Sequence, residues 1–446
     1  MKKPGIFIYI FTLWANLYAQ TNKLMGHWEG GINRLGSIQV LRFDFYPKGD
    51  SIVGTYDDPA SAVFNAPFFN IRGHSDTLLL NFGYGNFKAE FHKDVNEITG
   101  INSNWNPRLE LHMRKYGNKI KPSFERENMM INNGKNTIAA SLFKPATKKS
   151  YPVVVLVHGS DKVDRSTGYY YSLAYNLAER GLGVMIYDKR GCGNSSGNFE
   201  LASFKDLTDD AIAAVRYLKL RGNKTITKIG LLGTSQGGWI SYLAAKRSKD
   251  IHFVVANVGA AVSLFQQEMD RVHYSMLEDG LEKSSIDSAV NYTSNYFNYV
   301  LGNLNWTEFH HMAEVASCST FTDYITLPQR DQDVDYLWWS CNRYDPADDL
   351  SSIGCPVLSL FGEKDILVPP ASNEALMRKY LTKAGVPFQI KIFPNCGHAM
   401  ESFSTLKGGE WKFPEKFWIW KQKAPRFYET IVEWINKPGN RQIKPK

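Results

Sequence analysis

The chain has 446 residues, 43% of them hydrophobic and 22% charged, so it can bury a large core and is long enough for two or three domains. The formal net charge is +8, but the excess is spread along the chain with no long Lys/Arg block. It reads as a solvated surface, and no nucleic-acid partner is expected. Five cysteines at scattered positions form neither a disulfide framework nor a zinc pattern; if one pair closes in an oxidising compartment, Cys318 with Cys341 is the pair expected.

In chain order, residues 1–19 have the form of a secretory signal peptide. Lys2 and Lys3 supply the positive start, Ile6 to Trp14 the apolar core, and Ala19 a small residue before a cut. The apolar run falls short of the roughly 20 residues a membrane span needs. Export to the periplasm or the medium is expected, without stable membrane insertion. Residues 20–115 read as a small antiparallel β domain. Leu41, Phe43 and Phe45 alternate, as do Leu78, Leu80 and Phe82, then Leu109, Leu111 and Met113, with turn signals between. His27, His74, His92 and His112 lack metal-ligand spacing and are assigned core or surface roles. A linker is expected around residues 116–122.

The rhythm changes from Phe124 onward, and residues 116–446 are expected to form one α/β domain. Two β-like segments, 127–131 and 137–143, precede strands that alternate with helices. Val153 to Val157 is a continuous apolar run, as in a strand covered on both faces. Further strands are predicted at 183–187, 253–256, 357–360 and 388–392. Ser203 with Asp206 forms a capping box that opens a helix. This order implies a doubly wound, mostly parallel sheet with its ligand site at the carboxyl ends of the strands. The alternation stops over residues 261–345, a helical stretch rich in aromatics. It is read as a cap whose side chains, Trp338 and Trp339 among them, set acyl specificity. A second aromatic stretch at 411–420 is a further candidate for lining the pocket.

The chemistry centres on one turn. Lys228 to Leu232 make an apolar strand that runs into Gly233-Thr234-Ser235-Gln236-Gly237, and a helix follows. This is the pattern of a nucleophile elbow, in which a tight strand-to-helix turn leaves the Ser235 hydroxyl exposed at the helix N-terminus. Gly233 and Gly237 suit it because side chains there would collide across the turn. A serine needs a base, and the base an acid, in the order Ser, Asp or Glu, His. Asp365 lies in the loop after the 357–360 strand, with Glu363 as the competing carboxylate. His398 follows a glycine beyond the last strand. One oxyanion donor is expected from the Gln236 N–H. The other is assigned to the Ser160 N–H in the loop after the 153–157 strand, with Gly159 letting the backbone approach and His158 orienting the loop.

These residues resemble the α/β-hydrolase superfamily, and most nearly bacterial prolyl-oligopeptidase-like serine hydrolases classed among the carboxylesterases. The likeness rests on His158-Gly159-Ser160 with Asp164-Arg165, Asp188-Lys189-Arg190-Gly191-Cys192-Gly193-Asn194-Ser195, the Ser235 elbow, Gly362-Glu363-Lys364-Asp365 and Gly397-His398. It covers roughly residues 124–436. The N-terminal β domain also resembles one attached to such enzymes. One position departs from the family's pattern: Asp161 stands where a glycine is usual. The resemblance implies the α/β-hydrolase fold with a helical cap and a Ser235–His398–Asp365 triad that cleaves small-molecule carboxylic esters through an acyl-enzyme, without metal or cofactor. A peptidase or amidase of the same fold is the alternative. Less favoured is a binding protein with a vestigial hydrolase.

Overall fold

The computed structural model describes residues 24–34, 37–49, 51–58, 63–74, 76–105, 108–116, 123–146, 148–165, 167–222, 225–400, 423–424 and 426–437. The expected signal peptide at 1–19, most of the linker and the aromatic stretch 411–420 lie outside the described residues. Two sheets carry the chain, each at the centre of its own compact unit.

The first unit is antiparallel throughout. Its strands are β1 (Gly26–Arg34), β2 (Ser37–Lys48), β3 (Ser51–Asp58), β4 (Val63–Pro67), β5 (Asn70–His74), β6 (Thr77–Phe82), β7 (Gly85–His92), β8 (Glu97–Asn102) and β9 (Leu109–Tyr116). They lie in the order β4-β3-β2-β1-β9-β8-β7-β6-β5, so the first strand joins the two halves by pairing with both β2 and β9. The sheet curls into a half-barrel because each strand turns alternate large side chains inward. Leu41, Phe43 and Phe45 meet Leu80, Phe82, Phe87 and Phe91 around a fully buried Trp28. Phe68 N–H donates to Gly54 O and Phe69 N–H to Asn81 O, at 3.0 and 2.8 Å. Two histidines of this unit sit in carboxylate partnerships. His27 Nδ1 lies 2.8 Å from Asp44 Oδ1, and His112 Nε2 lies 3.0 Å from Glu97 Oε2.

The second unit contains, in order, β10 (Phe124–Asn133), β11 (Asn136–Pro145), β12 (Tyr151–Val157), α1 (Gly168–Glu179), β13 (Gly183–Tyr187), α2 (Phe204–Gly222), β14 (Ile226–Thr234), α3 (Gln236–Arg247), β15 (Val254–Asn257), α4 (Leu264–Glu278), α5 (Lys283–Val300), α6 (Trp306–Ser317), α7 (Val334–Cys341), α8 (Ala347–Leu350), β16 (Val357–Gly362), α9 (Pro370–Ala384), β17 (Phe388–Phe393) and α10 (Phe427–Asn436). The sheet order is β10-β11-β13-β12-β14-β15-β16-β17, with an antiparallel hairpin at one edge and six parallel strands after it. Every residue of β12, β13, β15 and β16 is buried, which is why these strands are predominantly apolar, with Asn257 and Ser359 the polar exceptions. The chain goes from β12 to β13 on one side and then crosses to β14 on the other, so the order reverses at β12. The crevice of such a sheet opens at the carboxyl ends of the two strands flanking the reversal. The Ser203 capping box is present: Ser203 N–H donates to Asp206 Oδ2, and Asp206 N–H to Ser203 Oγ.

Helices α4 to α7 form the insertion between β15 and β16, and they have a core of their own. Val272, Met276, Tyr296, Tyr299 and Phe309 are buried in it. Trp339 packs into this core, its ring centroid 5.0 Å from Phe297 and 6.0 Å from Phe265, while Trp338 lies against Phe204 of α2. Both rings remain partly exposed. The Cys318–Cys341 bridge is absent: both thiols are free and exposed, one just after α6 and the other at the end of α7.

Candidate active site

β14 delivers the chain to Ser235 in a conformation that most side chains avoid, φ 54° and ψ −123°. The turn is held from both sides. Ser235 N–H donates to Asn257 O of β15 at 3.0 Å, and Gly238 N–H donates to Ser235 O at 2.7 Å. A Cβ on Gly233 would lie 2.0 Å from Gly237 O, a collision across the turn as expected. A Cβ on Gly237 would instead lie 2.2 Å from Val157 O, so this glycine clears the neighbouring strand β12. The Ser235 side chain makes no cap hydrogen bond, which leaves its hydroxyl available at the head of α3. Gln236 opens that helix, where the first N–H groups have no acceptor within the helix and the dipole favours negative charge.

Asp365 follows β16 and its side chain has no exposed surface. Its Oδ1 accepts the Leu367 and Val368 N–H groups, each at 2.9 Å, which fixes the carboxylate plane. Its Oδ2 lies 2.9 Å from His398 Nδ1 in the loop after β17. A proton on Nδ1 facing that carboxylate leaves Nε2 as the basic nitrogen. Glu363 is exposed and accepts the Asn395 N–H at 2.8 Å, so it braces the base loop instead of holding the histidine. Because β14, β16 and β17 run parallel, Ser235, Asp365 and His398 all lie beyond the same edge of the sheet. Among the described residues, Asp365 and His398 are joined directly, and no hydrogen bond joins Ser235 to His398. Bonds of that kind tighten once substrate is bound.

The loop expected to supply the second oxyanion donor lies next to the elbow, because Val157 at the end of β12 pairs with Gly233. His158 is buried, and burial together with the charge on Lys189 pulls its pKa down to about 3. It is neutral across ordinary pH and packs edge-on to Tyr187 at 4.6 Å, consistent with holding the loop rather than moving protons. Ser160 is exposed, and its N–H has no protein acceptor among the described residues. Asp161 is exposed as well, with solvent to screen its carboxylate.

The Asp188–Ser195 turn supports this loop. Asp188 is buried and accepts the Arg165 N–H and Nε–H through Oδ1, at 2.7 and 2.9 Å, and the Asn194 N–H through Oδ2 at 2.7 Å. Arg190 forks onto Asp210 and Asp206 of α2. Ser195 Oγ donates to Asp188 O and accepts from Ala139 N–H. Lys189, to which the sequence reading assigned no task, is also buried. Its Nζ donates to Gly159 O at 2.6 Å and to Asp161 O at 3.2 Å. The only hint in the sequence was a cation two residues beyond the end of the buried strand β13. No group of three or more side chains suited to a metal ion occurs among the described residues.

Fold and site together define an α/β-hydrolase, and the chain belongs to that superfamily, with an antiparallel β unit before the hydrolase part. Residues 148–286 match the family described as Serine aminopeptidase, S33, and residues 338–416 match the Dienelactone hydrolase family. The chain is similar to Esterase EstD of Thermotoga maritima, 27% identical over 323 residues that make up 71% of this chain and 68% of that protein. It is also similar to a proline iminopeptidase of Clostridioides difficile, 28% identical over 207 residues, 44% of this chain and 66% of that one. Among solved structures, an esterase of Pyrococcus furiosus is similar at 17% identity and a TM-score of 0.42, over 64% of this chain and 88% of that chain.

Proposed function

We propose that the chain is a carboxylesterase that works through an acyl-enzyme on Ser235. Ser235 Oγ attacks the ester carbonyl and passes its proton to His398 Nε2, while Asp365 holds the Nδ1–H and stabilises the imidazolium. The oxyanion rests on the Gln236 and Ser160 N–H groups. His398 then returns the proton to the leaving alcohol. In the second half it takes a proton from water, which attacks the acyl carbonyl, releases the acid and restores Ser235. The groups named suffice for this sequence without a metal or cofactor. The observation that carries the reading is the contact of buried Asp365 with half-buried His398, at 2.9 Å, beyond the same sheet edge as the strained Ser235.

The test is a panel of p-nitrophenyl esters and aminoacyl p-nitroanilides, with fluorophosphonate labelling of the wild type and Ser235→Ala. Ester turnover with label on Ser235 supports the reading. Label elsewhere, or near-normal activity in the variant, overturns it. A second reading, an aminopeptidase, draws on the S33 family match and the iminopeptidase relative; faster turnover of anilides than of esters would favour it. Turnover of either substrate excludes a vestigial binding protein. Export, inferred from residues 1–19, is tested by cell fractionation of the full-length chain.

A further inference from the structure

Lys189 stands out as a buried cation without a counter-ion. It is 2% exposed, and among the described residues no Asp or Glu carboxylate lies within 4.0 Å of its Nζ. A buried ammonium is costly unless it is paired and hydrogen-bonded. Here its partners are the carbonyl oxygens of Gly159 and Asp161, the Gln236 side-chain oxygen at 3.5 Å, and the face of Phe199, whose centroid is 4.8 Å away. Both main-chain carbonyls belong to the loop around Ser160, and Gln236 is the residue after Ser235. One side chain thus grips both halves of the oxyanion site proposed above.

The geometry has a direct consequence. Gly159 C=O and Ser160 N–H belong to the same peptide group, which is planar and trans, so the two bonds point in opposite directions. An ammonium drawn to within 2.6 Å of the oxygen turns the N–H away from itself, and it polarises the amide into a stronger donor. We infer that Lys189 is the positioning residue of the oxyanion hole, aiming the Ser160 N–H at the developing charge and supplying the unpaired positive charge behind it. This rests on the esterase reading of Ser235.

The ammonium would stand about 7–8 Å from the oxyanion, across one peptide unit and two hydrogen bonds. At an effective dielectric constant of about 20, a unit charge at that range is worth roughly 40-fold in rate. That is comparable to, though smaller than, the loss of a direct oxyanion donor, about 10²–10³. Burial pulls the Lys189 pKa down to about 8. The charged or titratable groups facing it are the exposed Asp161 carboxylate and neutral His158 from the β12 loop and the Cys192 thiol from its own turn; α3 contributes only the neutral Gln236 amide. The ammonium form, and with it the rate, is therefore present below pH 8 and lost as pH rises through it.

The experiment compares wild type, Lys189→Met and Lys189→Gln for kcat and KM on p-nitrophenyl acetate from pH 6 to 10, alongside Tm and the affinity of a boronic acid that forms a tetrahedral adduct with the serine. Lys189→Met should lower kcat by about 10- to 100-fold with KM nearly unchanged, because the lost interaction exists only in the transition state. It should weaken the boronate in proportion and abolish the alkaline fall near pH 8. Lys189→Gln, which keeps a donor but no charge, should recover part of kcat. The inference is overturned if Lys189→Met keeps the wild-type kcat, or if Met and Gln variants lose activity equally and only in step with Tm. If neither variant folds, a wild-type kcat that stays flat from pH 7 to 9.5 overturns it. Failure of fluorophosphonate to label Ser235 in the wild type would instead sink the esterase reading.

Discussion

Replacing Ser235 by glycine and by alanine separates the chemistry of the side chain from the strain of the backbone beneath it. Both variants lack the nucleophile and should lose on the order of 10⁴-fold or more in kcat. They should differ in stability. The Ser235 hydroxyl makes no cap hydrogen bond, so truncation to alanine removes little and leaves a Cβ at φ 54°, ψ −123°. Such a conformation costs a non-glycine residue about 1–3 kcal/mol. Glycine relieves that cost but returns about 0.5–1 kcal/mol as extra freedom of the unfolded chain. The net gain of Ser235→Gly over Ser235→Ala is about 0–2.5 kcal/mol. At roughly 2–4 °C per kcal/mol for a unit of this size, glycine should unfold a few degrees higher. Differential scanning calorimetry of the two purified variants reads this directly. A glycine variant that melts below the alanine variant refutes the idea that the elbow stores strain under its serine.

Asp365→Asn should cut kcat by about 10³–10⁴, since the amide would favour the wrong His398 tautomer. Glu363→Gln, which touches only the Asn395 N–H, should cost less than about tenfold on the same ester; the reverse ranking would make Glu363 the acid. Trp339→Ala should lower stability by about 2–3 kcal/mol, less than a fully buried tryptophan costs, and leave the ranking of short and long acyl esters unchanged; a shifted ranking with intact Tm would return Trp339 to the pocket. His158 titrates at about 3 in the folded chain against 6.5 when unfolded, so the unfolded state binds the extra proton between those values. Its contribution to stability is present in full above pH 6.5 and lost as pH falls toward 3. Urea midpoints of wild type should drop between pH 7 and 4.5 more steeply than those of His158→Gln, and parallel curves would deny His158 that part.

Much of this molecule could be read from local pattern. Gly233 before Ser235 records a steric demand of the turn. Apolar runs such as Val153 to Val157 record strands buried on both faces, and Ser235 follows directly from the end of one such strand. These signals survive in one dimension because they depend on near neighbours and on periodic burial. What depended on the third dimension is of another kind. Asp365 and Glu363 are two residues apart, and only the packing of the β17 loop over β16 makes one buried against His398 and the other exposed on Asn395. The aromatics of the insertion gave no sign of which face they present, and Trp339 is half-buried against the core of the insertion. Cys318 and Cys341 looked pairable by position alone, yet they end different helices and remain free thiols. Lys189 reaches partners 28, 30 and 47 residues away because β13, β12 and β14 are adjacent in the sheet. An ammonium finds whichever carbonyls the strand order brings to it, and strand order is set by how the whole sheet packs, not by any stretch of chain.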